Sequence, residues 1–246
     1  MNALILAAGF GTRLKPWTDK HPKALVPVGG IPMLKRVIMR LKEEGFDNIA
    51  VNTHHFSDQI KDYLKNNDFG INIEISDETD GILDTGGGLL KASELFDNNQ
   101  PILVHNVDIL SDAPLSRLLA LHAKAGHEVS LITSDRDSSR KLVFDDNGML
   151  KGWHNIKSNE YKPAGFKSQS KYHESGFSGI YIVSPETINC LRDFSYDIES
   201  KAFPIMDFFL SKMHKIKIGE IKLDKLNLID IGKPETLSQA NAIFGL

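Results

Sequence analysis

The sequence is poor in the features that mark secreted, membrane and nucleic-acid-binding proteins. Its one cysteine, Cys190, excludes an internal disulfide and a cysteine-based metal site. A net charge of −3 leaves no basic surface for nucleic acid or membrane lipids. No segment approaches the 18 uninterrupted apolar residues of a membrane helix, and the start of the chain lacks a basic signal region. We therefore expect a cytoplasmic protein whose partners are small molecules.

The composition is that of a globular protein. Apolar residues make up 41% of the 246 positions, enough for one large core, and we expect a single domain over residues 1–246. Up to Thr133, short apolar runs alternate with segments of helical spacing, which predicts an α/β fold with a three-layer, doubly wound, mainly parallel sheet. From Arg140 onward, short strands predict a mixed-sheet C-terminal half, with a strand from Phe177 to Val183 after a polar stretch.

The most informative segment lies at the start of the chain. The apolar run from Ala3 to Ala8 predicts a strand covered on both faces. Gly9 and Gly11 follow it, and glycines let a backbone turn sharply and approach a ligand. Successive N–H groups in such a turn form an anion-binding concavity, to which Arg13 and Lys23 add positive charge. The segment predicts a site for a nucleoside triphosphate.

Two common glycine-rich motifs do not fit this loop. A dinucleotide-binding fingerprint needs a third glycine and an acidic residue about 20 positions further on, but the next glycine is Gly29 and no carboxylate lies near it. A P-loop needs Gly-Lys-Ser/Thr, which is absent. An ordinary strand-turn-helix connection is the structural alternative, and the two cations and two prolines at defined offsets favour a functional loop.

Two motifs carry a resemblance to a known family. Leu-Ala-Ala-Gly-Phe-Gly-Thr-Arg-Leu at 6–14 and Pro-Lys-Ala-Leu-Val-Pro-Val at 22–28 resemble the signature of the sugar-1-phosphate nucleotidyltransferases. Later motifs are most similar to N-acetylmuramate-1-phosphate uridylyltransferases and to mannose- or heptose-1-phosphate guanylyltransferases. The resemblance implies a Rossmann-like, GT-A-like fold, a catalytic Mg²⁺, and catalytic roles for Arg13 and Lys23. The nucleotide-binding residues that it implies are Leu6, Ala7, Ala8, Gly9, Gly11, Thr12, Asp84, Thr85, Gly86 and Asn106.

The resemblance also implies that two aspartates hold the metal. Asp108 follows a buried strand, and Asp230 stands at another strand end before a helix. Mg²⁺ prefers one or two carboxylates together with substrate phosphates. The structural alternative for each aspartate is a helix cap. Relatives have glycine before the first aspartate where this chain has Val107, so either the backbone differs or the valine points into the core; His105 is expected to be a plain strand residue.

The glycine-rich turn at 84–88 resembles the segment that meets the nucleotide base in the family. Small residues there permit flat contact with a base, and Thr85 with free backbone amides would offer hydrogen bonds to a pyrimidine. The alternative is an ordinary helix start within a helix over 86–95. Three consecutive glycines destabilise a helix, which argues against a purely structural role.

Candidate sugar contacts lie in the second half of the chain. The segment Glu174-Ser-Gly-Phe-Ser-Gly-Ile-Tyr181 resembles the family segment that lines the sugar pocket, which makes Glu174, Ser178 and Gly179 candidates. Asn155 stands near the place where relatives often carry a glutamate. The adjacent histidines His54 and His55 lack a third ligand at metal-like spacing and are expected at a solvated helix entry.

The sequence therefore predicts an enzyme that joins a nucleoside triphosphate and a sugar 1-phosphate. UTP and a sugar similar to N-acetylmuramate 1-phosphate are favoured. One alternative is a guanylyltransferase acting on mannose or heptose 1-phosphate, and another is a non-catalytic regulatory module that binds nucleotide sugars. We expect a monomer or a small homo-oligomer, with no nucleic-acid or membrane partner.

Overall fold

A large mixed sheet organises the chain in this computed structural model, which describes residues 1–97 and 99–244. The strands are β1 Asn2–Leu6, β2 Pro27–Val28, β3 Ile31–Pro32, β4 Asn48–Thr53, β5 Asn72–Asp77, β6 Ile102–Asn106, β7 Ile109–Ser111, β8 Val129–Ser134, β9 Arg140–Phe144, β10 Leu150–Asn155, β11 Glu160–Lys162, β12 His173–Val183, β13 Ile218–Lys222 and β14 Leu228–Asp230. The α-helices are α1 Met33–Glu43, α2 Ser57–Lys65, α3 Asp84–Ala92, α4 Leu115–Ala125, α5 Pro185–Asp197, α6 Ile205–Lys212 and α7 Pro234–Phe244. Short 3₁₀ turns lie at Thr12–Leu14, Trp17–Asp19, Lys23–Leu25 and Ser93–Leu95.

The first half of the chain forms the predicted parallel sheet. Strands β6, β1, β4 and β5 lie side by side, and all three pairs are parallel. Leu6 at the end of β1 is in register with Asn52 of β4 and Asn106 of β6. The carboxyl ends of these strands therefore meet at one edge, where open α/β sheets bind ligands.

The second half adds antiparallel pairs to the same sheet, as predicted. Strand β12 runs antiparallel to β6, β8 and β9, and β10 and β11 extend the sheet beyond β9. Strand β12 begins at His173, four positions before the predicted start at Phe177, because its polar first residues pair with β9 rather than with an apolar neighbour. Strand β11 lies inside the polar stretch that precedes the predicted Phe177 strand.

Successive side chains of the central strands point to opposite faces of the sheet and pack into two hydrophobic cores, one on each face. On one face, Ile5 and Leu103 pack with α1, α2, α4 and α7, while on the other face Leu4 and Val104 pack with α3, α5 and α6. Strands buried on both faces explain the continuous apolar runs of the sequence. Among the residues that the structure describes, no helix combines the length and apolar content that crossing a bilayer demands.

The glycines of α3 are required by packing. A Cβ on Gly87 would lie 1.9 Å from the carbonyl oxygen of Lys201, and one on Gly86 would lie 2.3 Å from the Phe203 ring. Both glycines are buried, so the helix can approach the segment before α6 only because side chains are absent. Packing therefore gives these glycines a structural role, and close contact offsets their cost to the helix, while a role in base contact stays a prediction.

Replacing Gly87 by alanine should destabilise the fold by about 2 to 3 kcal/mol, since a backbone carbonyl cannot swing away from the new methyl group. Gly81 is the matched control, because a Cβ there would meet nothing within 4 Å. Urea unfolding of both variants measures the difference. Equal stabilities for Gly87→Ala and Gly81→Ala would contradict this packing.

A buried polar cluster ties α4 to the sheet. The His122 ring has Nδ1 2.8 Å from Ser130 Oγ and Nε2 2.9 Å from Ser184 Oγ. Burial and, to a smaller extent, the neighbouring His127 lower the pKa of His122 to about 4, against an opposing effect of Glu186. Because the unfolded chain takes up the proton near pH 6.5 and the folded chain does not, stability falls as the pH drops from 6.5 towards 4.

We expect His122 alone to account for a loss of about 2 kcal/mol in the free energy of unfolding between pH 7.5 and pH 5. His122→Gln removes this titration, so the variant should lose correspondingly less stability over the same interval even if it is less stable at pH 7.5. Urea unfolding of parent and variant at both pH values measures the two slopes. An identical slope in both proteins would contradict a neutral buried His122.

Candidate functional site

The candidate site lies at the carboxyl edge of the parallel strands. The loop after β1 begins at Ala7, and the segment after β6 carries Val107 and Asp108. The Val107 amide donates to Leu6 O at 3.1 Å, which holds the two segments side by side. Val107 itself is buried in the core, so its side chain takes the inward orientation and leaves the neighbouring Asp108 at the edge.

The glycine loop presents unpaired amides. Within the described residues, the N–H groups of Gly9, Phe10 and Gly11 have no hydrogen-bond partner. Gly11 adopts a left-handed conformation at φ 61°, and a Cβ there would lie 2.8 Å from Lys23 Cβ, so only glycine fits. Such a run of free amides suits an anion.

The amides of Ala7 and Ala8, which the resemblance implies as nucleotide-binding residues, already have partners in the structure. Their N–H groups donate to Asn52 Oδ1 at 2.6 Å and 3.3 Å. The run of unpaired amides therefore begins at Gly9. Leu6 is a paired strand residue, and Thr12 and Arg13 form the 3₁₀ turn that follows Gly11.

Two cations and two carboxylates converge beside the loop. Lys23 Nζ forms an ion pair with Asp108 Oδ2, and the two side chains are only 14% and 13% exposed. From the point that a Cβ on Gly232 would occupy, Arg13 Nη2 and Asp230 Oδ1 are each 2.8 Å away and Asp108 Oδ2 is 3.2 Å away. The fold thus gathers all four charged residues that the sequence marked as catalytic or metal-binding.

A small two-stranded sheet brings Asp230 to this place. Strands β7 and β14 pair antiparallel with Ile109 opposite Asp230, and the Ile231 amide donates to Asp108 O at 2.9 Å. Asp230 Oδ1 also accepts from the Gly232 amide at 2.9 Å, so its structural alternative, a turn-stabilising role before α7, is partly realised. The oxygen that accepts this bond is the same one that lies beside Arg13 and Asp108 in the cluster.

The donor set fits a hard divalent cation that shares its shell with phosphate oxygens. Asp108 Oδ2 and Asp230 Oδ1 lie 3.2 Å and 2.8 Å from the place where a Cβ on Gly232 would stand, so the absence of a side chain there lets the two carboxylates approach each other. No group of three or more His, Cys, Asp or Glu side chains suited to a metal occurs in the part of the chain that the structure describes. A metal here depends on two protein carboxylates and the ligand's own oxygens.

The turn at the start of α3 offers fewer groups than the sequence suggested. Thr85 Oγ1 accepts from the Ile205 amide at 2.9 Å, and the Gly86 amide donates to Phe203 O at 2.9 Å. Asp84 is exposed, in a left-handed conformation at φ 57°, and its Oδ1 accepts from the Thr85 amide at 2.6 Å. The expectation of free amides at this turn is therefore wrong for Thr85 and Gly86.

The candidate sugar contacts divide into one residue at the site and three with other partners. Gly179 lies against Asn106, since a Cβ on it would come 3.0 Å from Asn106 Nδ2. Ser178 is fully buried, and its hydroxyl donates to Ile132 O at 2.7 Å and accepts from Ile180 N at 3.2 Å. Ser178 therefore shapes the strand, and its expected ligand contact is a wrong prediction.

The other two sugar candidates belong to the outer part of the sheet. Glu174 Oε1 lies 2.9 Å from His154 Nδ1, and Asn155 Oδ1 accepts from Lys157 N at 3.1 Å. Each residue keeps a second polar atom for a ligand. Glu174 lies on β12 and Asn155 on β10, and contact of either residue with the sugar stays a prediction.

The two adjacent histidines pack on the glycine loop. The Phe10 ring lies 5.6 Å from the His54 ring and 5.2 Å from the His55 ring, centroid to centroid. His54 Nδ1 donates to Glu78 O at 2.7 Å. The pair therefore contacts the loop rather than standing only in solvent.

Sequence reasoning missed two polar residues of the site. Asn52 and Glu78 are buried at the ends of β4 and β5, and Asn52 Nδ2 donates to Glu78 Oε1 at 2.8 Å. Burial raises the pKa of Glu78, while hydrogen bonds from Leu83 N and Asn52 oppose the shift. The sequence feature that could have revealed Asn52 is its position directly after the apolar run Ile49–Val51, at a strand end level with the glycine loop.

A cavity of about 900 Å³ lies elsewhere. It opens between α1 and the β7–β14 pair, with Met39, Leu110 and Ile229 among its walls, and none of the predicted site residues lines it. The converging charges, and not this cavity, mark the candidate site.

The chain is similar to known nucleotidyltransferases. A family profile described as "Nucleotidyl transferase" matches residues 2–244. The chain is 33% identical over 222 residues to a UTP–glucose-1-phosphate uridylyltransferase of Synechocystis sp., which covers 83% of this chain and 54% of that protein. It is 43% identical over 113 residues to an N-acetylmuramate alpha-1-phosphate uridylyltransferase of Neisseria meningitidis, covering 46% of this chain and 48% of that protein. The chain thus spans about half the length of these curated relatives.

Solved structures share the fold along the whole chain. A putative glucose-1-phosphate thymidylyltransferase from Bacillus anthracis superposes with a TM-score of 0.79 at 19% identity, covering 99% of this chain and 95% of that one. HddC from Yersinia pseudotuberculosis, complexed with GMP-PN, superposes with a TM-score of 0.77 at 23% identity and 99% coverage of both chains. At these identities the likeness confirms the Rossmann-like architecture alone. Because the family profile matches the chain from end to end, the protein belongs to the nucleotidyl transferase family.

Proposed function

We propose that the protein transfers a nucleotidyl group from a nucleoside triphosphate to a sugar 1-phosphate. The observation that carries this proposal is the convergence of Arg13, Lys23, Asp108 and Asp230 beside the free amides of the glycine loop. Two anionic substrates repel each other, and a site that combines two cations with a two-carboxylate metal position cancels that repulsion.

In the proposed reaction, a phosphate oxygen of the sugar 1-phosphate attacks the α-phosphorus of the triphosphate. The bond from that phosphorus to the oxygen bridging to the β-phosphate breaks, and pyrophosphate leaves with the electron pair. The amides of Gly9, Phe10 and Gly11 would bind phosphate oxygens, while Arg13 and Lys23 neutralise the charge that develops on the leaving group. No covalent enzyme intermediate is needed.

Asp108 and Asp230 would hold Mg²⁺, whose chemistry when bound is to draw charge from the reacting phosphate oxygens. The ion pair between Lys23 and Asp108 has a consequence for this step. While Lys23 occupies Asp108 Oδ2, that oxygen is not free for a cation. A triphosphate in the glycine loop offers Lys23 other oxygens, so nucleotide binding should free Asp108.

For the substrates, we propose UTP and a sugar similar to N-acetylmuramate 1-phosphate. Support for the base comes from two relatives named as uridylyltransferases, and support for the sugar comes from the one named for N-acetylmuramate. Gly179 beside Asn106, with Glu174 and Asn155 further along the sheet, would contact the sugar. A guanylyltransferase for mannose 1-phosphate is the alternative favoured by the relative from Dictyostelium discoideum, which is 28% identical over the whole chain.

We further propose that residues 1–246 act as one domain, as a cytoplasmic monomer or small homo-oligomer without nucleic-acid or membrane partners. The single sheet to which both halves contribute supports the one-domain proposal. A non-catalytic module that only binds nucleotide sugars would have no need for all four converging charges, which favours an enzyme.

The direct test is a matrix of UTP, GTP, CTP, ATP and dTTP against N-acetylmuramate, glucose, mannose and heptose 1-phosphates, with pyrophosphate release as readout. We expect turnover with Mg²⁺ and the highest kcat/KM for UTP. A higher value for GTP would overturn the uridylyl assignment alone. Binding of nucleotide sugars without pyrophosphate release in any pair would establish the regulatory module instead.

Asp108→Asn and Asp230→Asn should each lower kcat by at least about 100-fold at limiting Mg²⁺, because each removes a charged metal ligand. Raising the Mg²⁺ concentration should restore part of the loss. Asp193→Asn on α5, an exposed carboxylate away from the cluster, is the matched control and should be neutral. Near-parental pyrophosphate release by both site variants at limiting metal would exclude the two-carboxylate site.

A further inference from the structure

We propose that Asn52 and Glu78 are positioning residues: together they form a buried relay that fixes the glycine loop relative to the turn before α3, and this fixed spacing sets the discrimination between nucleobases. The proposal rests on the proposed nucleotidyl transfer, with the phosphates at the loop and the base at the turn that begins at Asp84, where the resemblance of the 84–88 segment implies it. The inference adds Asn52 and Glu78 to the proposed site as residues that contact neither substrate.

The relay consists of four hydrogen bonds, two of which share the acceptor Asn52 Oδ1. At one end, the Ala7 and Ala8 amides donate to Asn52 Oδ1 at 2.6 Å and 3.3 Å. In the middle, Asn52 Nδ2 donates to Glu78 Oε1 at 2.8 Å. At the other end, Glu78 Oε2 accepts from the Leu83 amide at 2.9 Å, directly before Asp84. The relay thus runs from the loop after β1, across the ends of β4 and β5, to the turn before α3.

Burial makes the relay rigid and keeps its members from the ligand. Asn52 is 2% exposed and Glu78 is 1% exposed. The backbone of α3 closes over them, because a Cβ on Gly88 would lie 2.8 Å from both Asn52 Nδ2 and Glu78 Oε1. Each end of the two side chains has a defined donor or acceptor, so neither can rotate without leaving a buried polar group unpaired.

The backbone of Glu78 makes a second set of contacts that hold the same part of the site. The Glu78 amide donates to Thr53 O at 2.7 Å, and Glu78 O accepts from His54 Nδ1 at 2.7 Å. The His54 ring in turn packs edge-on against Phe10 at the tip of the glycine loop. The loop is therefore tied to Glu78 both at its start, through Asn52, and at its tip, through His54.

Fixed spacing matters because a nucleotide holds its base and its phosphates at a limited range of distances. When phosphates are seated on the Gly9–Gly11 amides, the turn at Asp84 decides whether the edge of a given base meets its hydrogen-bond partners. Sites discriminate strongly only when the wrong base leaves fixed polar groups unpaired. A loosened turn can shift to accept another base, so discrimination falls before binding is lost.

The chain permits a test in which the polarity of the relay is reversed. In Glu78→Gln, an amide nitrogen must face either Asn52 Nδ2 or the Leu83 amide, so one bond is lost. In Asn52→Asp, two carboxylates face each other across the 2.8 Å contact. The double variant Asn52→Asp with Glu78→Gln restores all four bonds, since the introduced amide then donates to the introduced carboxylate and its oxygen still accepts from Leu83. The double variant also keeps the buried charge count at one.

Each single variant should lower the ratio of kcat/KM for UTP to that for GTP by about 10-fold, and the double variant should return to within about threefold of the parent. Ser130→Ala on β8 is the matched control. It breaks the buried bond between Ser130 and His122 of α4 and should lower stability without changing the UTP-to-GTP ratio. A purely structural role predicts equal losses for both nucleotides, and an unchanged ratio in both single variants would overturn the proposal.

Amide hydrogen exchange gives a readout that does not depend on turnover. In Glu78→Gln, exchange at Ala7 and Ala8 should accelerate by about 10-fold relative to the parent, although these amides do not contact Glu78, and the double variant should restore protection. If the parent releases no pyrophosphate with any substrate, the proposed reaction fails and exchange alone judges the relay. Parental exchange at Ala7 and Ala8 in Glu78→Gln would then exclude it.

Discussion

The ion pair between Lys23 and Asp108 is the interaction on which the rest of the site depends. It joins the segment after the glycine loop to the end of β6, and both side chains are largely buried. The pair lets each charge neutralise the other where solvent access is limited, since an unpaired charge in such surroundings is costly. Through the backbone of Asp108, which binds the Ile231 amide, the pair also fixes the place of Asp230.

This arrangement explains why the fold gathers opposite charges at the carboxyl edge of parallel strands. Strands β1, β4 and β6 end at the same level, and each end supplies a different group: free amides after β1, an amide side chain at Asn52, and a carboxylate at Asp108. The antiparallel second half contributes Gly179 from β12 and Asp230 from β14 to the same edge. The large mixed sheet and the small β7–β14 sheet thus bring together residues more than 200 positions apart.

The sequence predicted the parts of the site that depend on local chemistry. The strand from Ala3 and the glycine loop follow from residue types that restrict the backbone, whereas the roles of the four charged residues were implied by the resemblance of their motifs to a known family. The structure brings all of them together. The sequence could not reveal partners that are distant along the chain. The packing of Gly87 on Lys201, the Thr85 bond to Ile205, the Ser178 bond to Ile132 and the Asn52–Glu78 contact all join separate elements, and no local pattern encodes them. The early start of β12 was missed for the same reason, since only β9 makes its polar residues a strand.

Manganese binding followed by electron paramagnetic resonance tests the central claim most directly, namely that Lys23 and a metal share Asp108. The account predicts weak Mn²⁺ binding to the free protein, an affinity at least about 10-fold higher with a non-hydrolysable UTP analogue, and a similar gain in Lys23→Met without nucleotide. The Lys15→Met variant is the control, because Lys15 pairs with the exposed Asp19. Equal Mn²⁺ affinity in the free parent, the nucleotide complex and Lys23→Met would contradict the account.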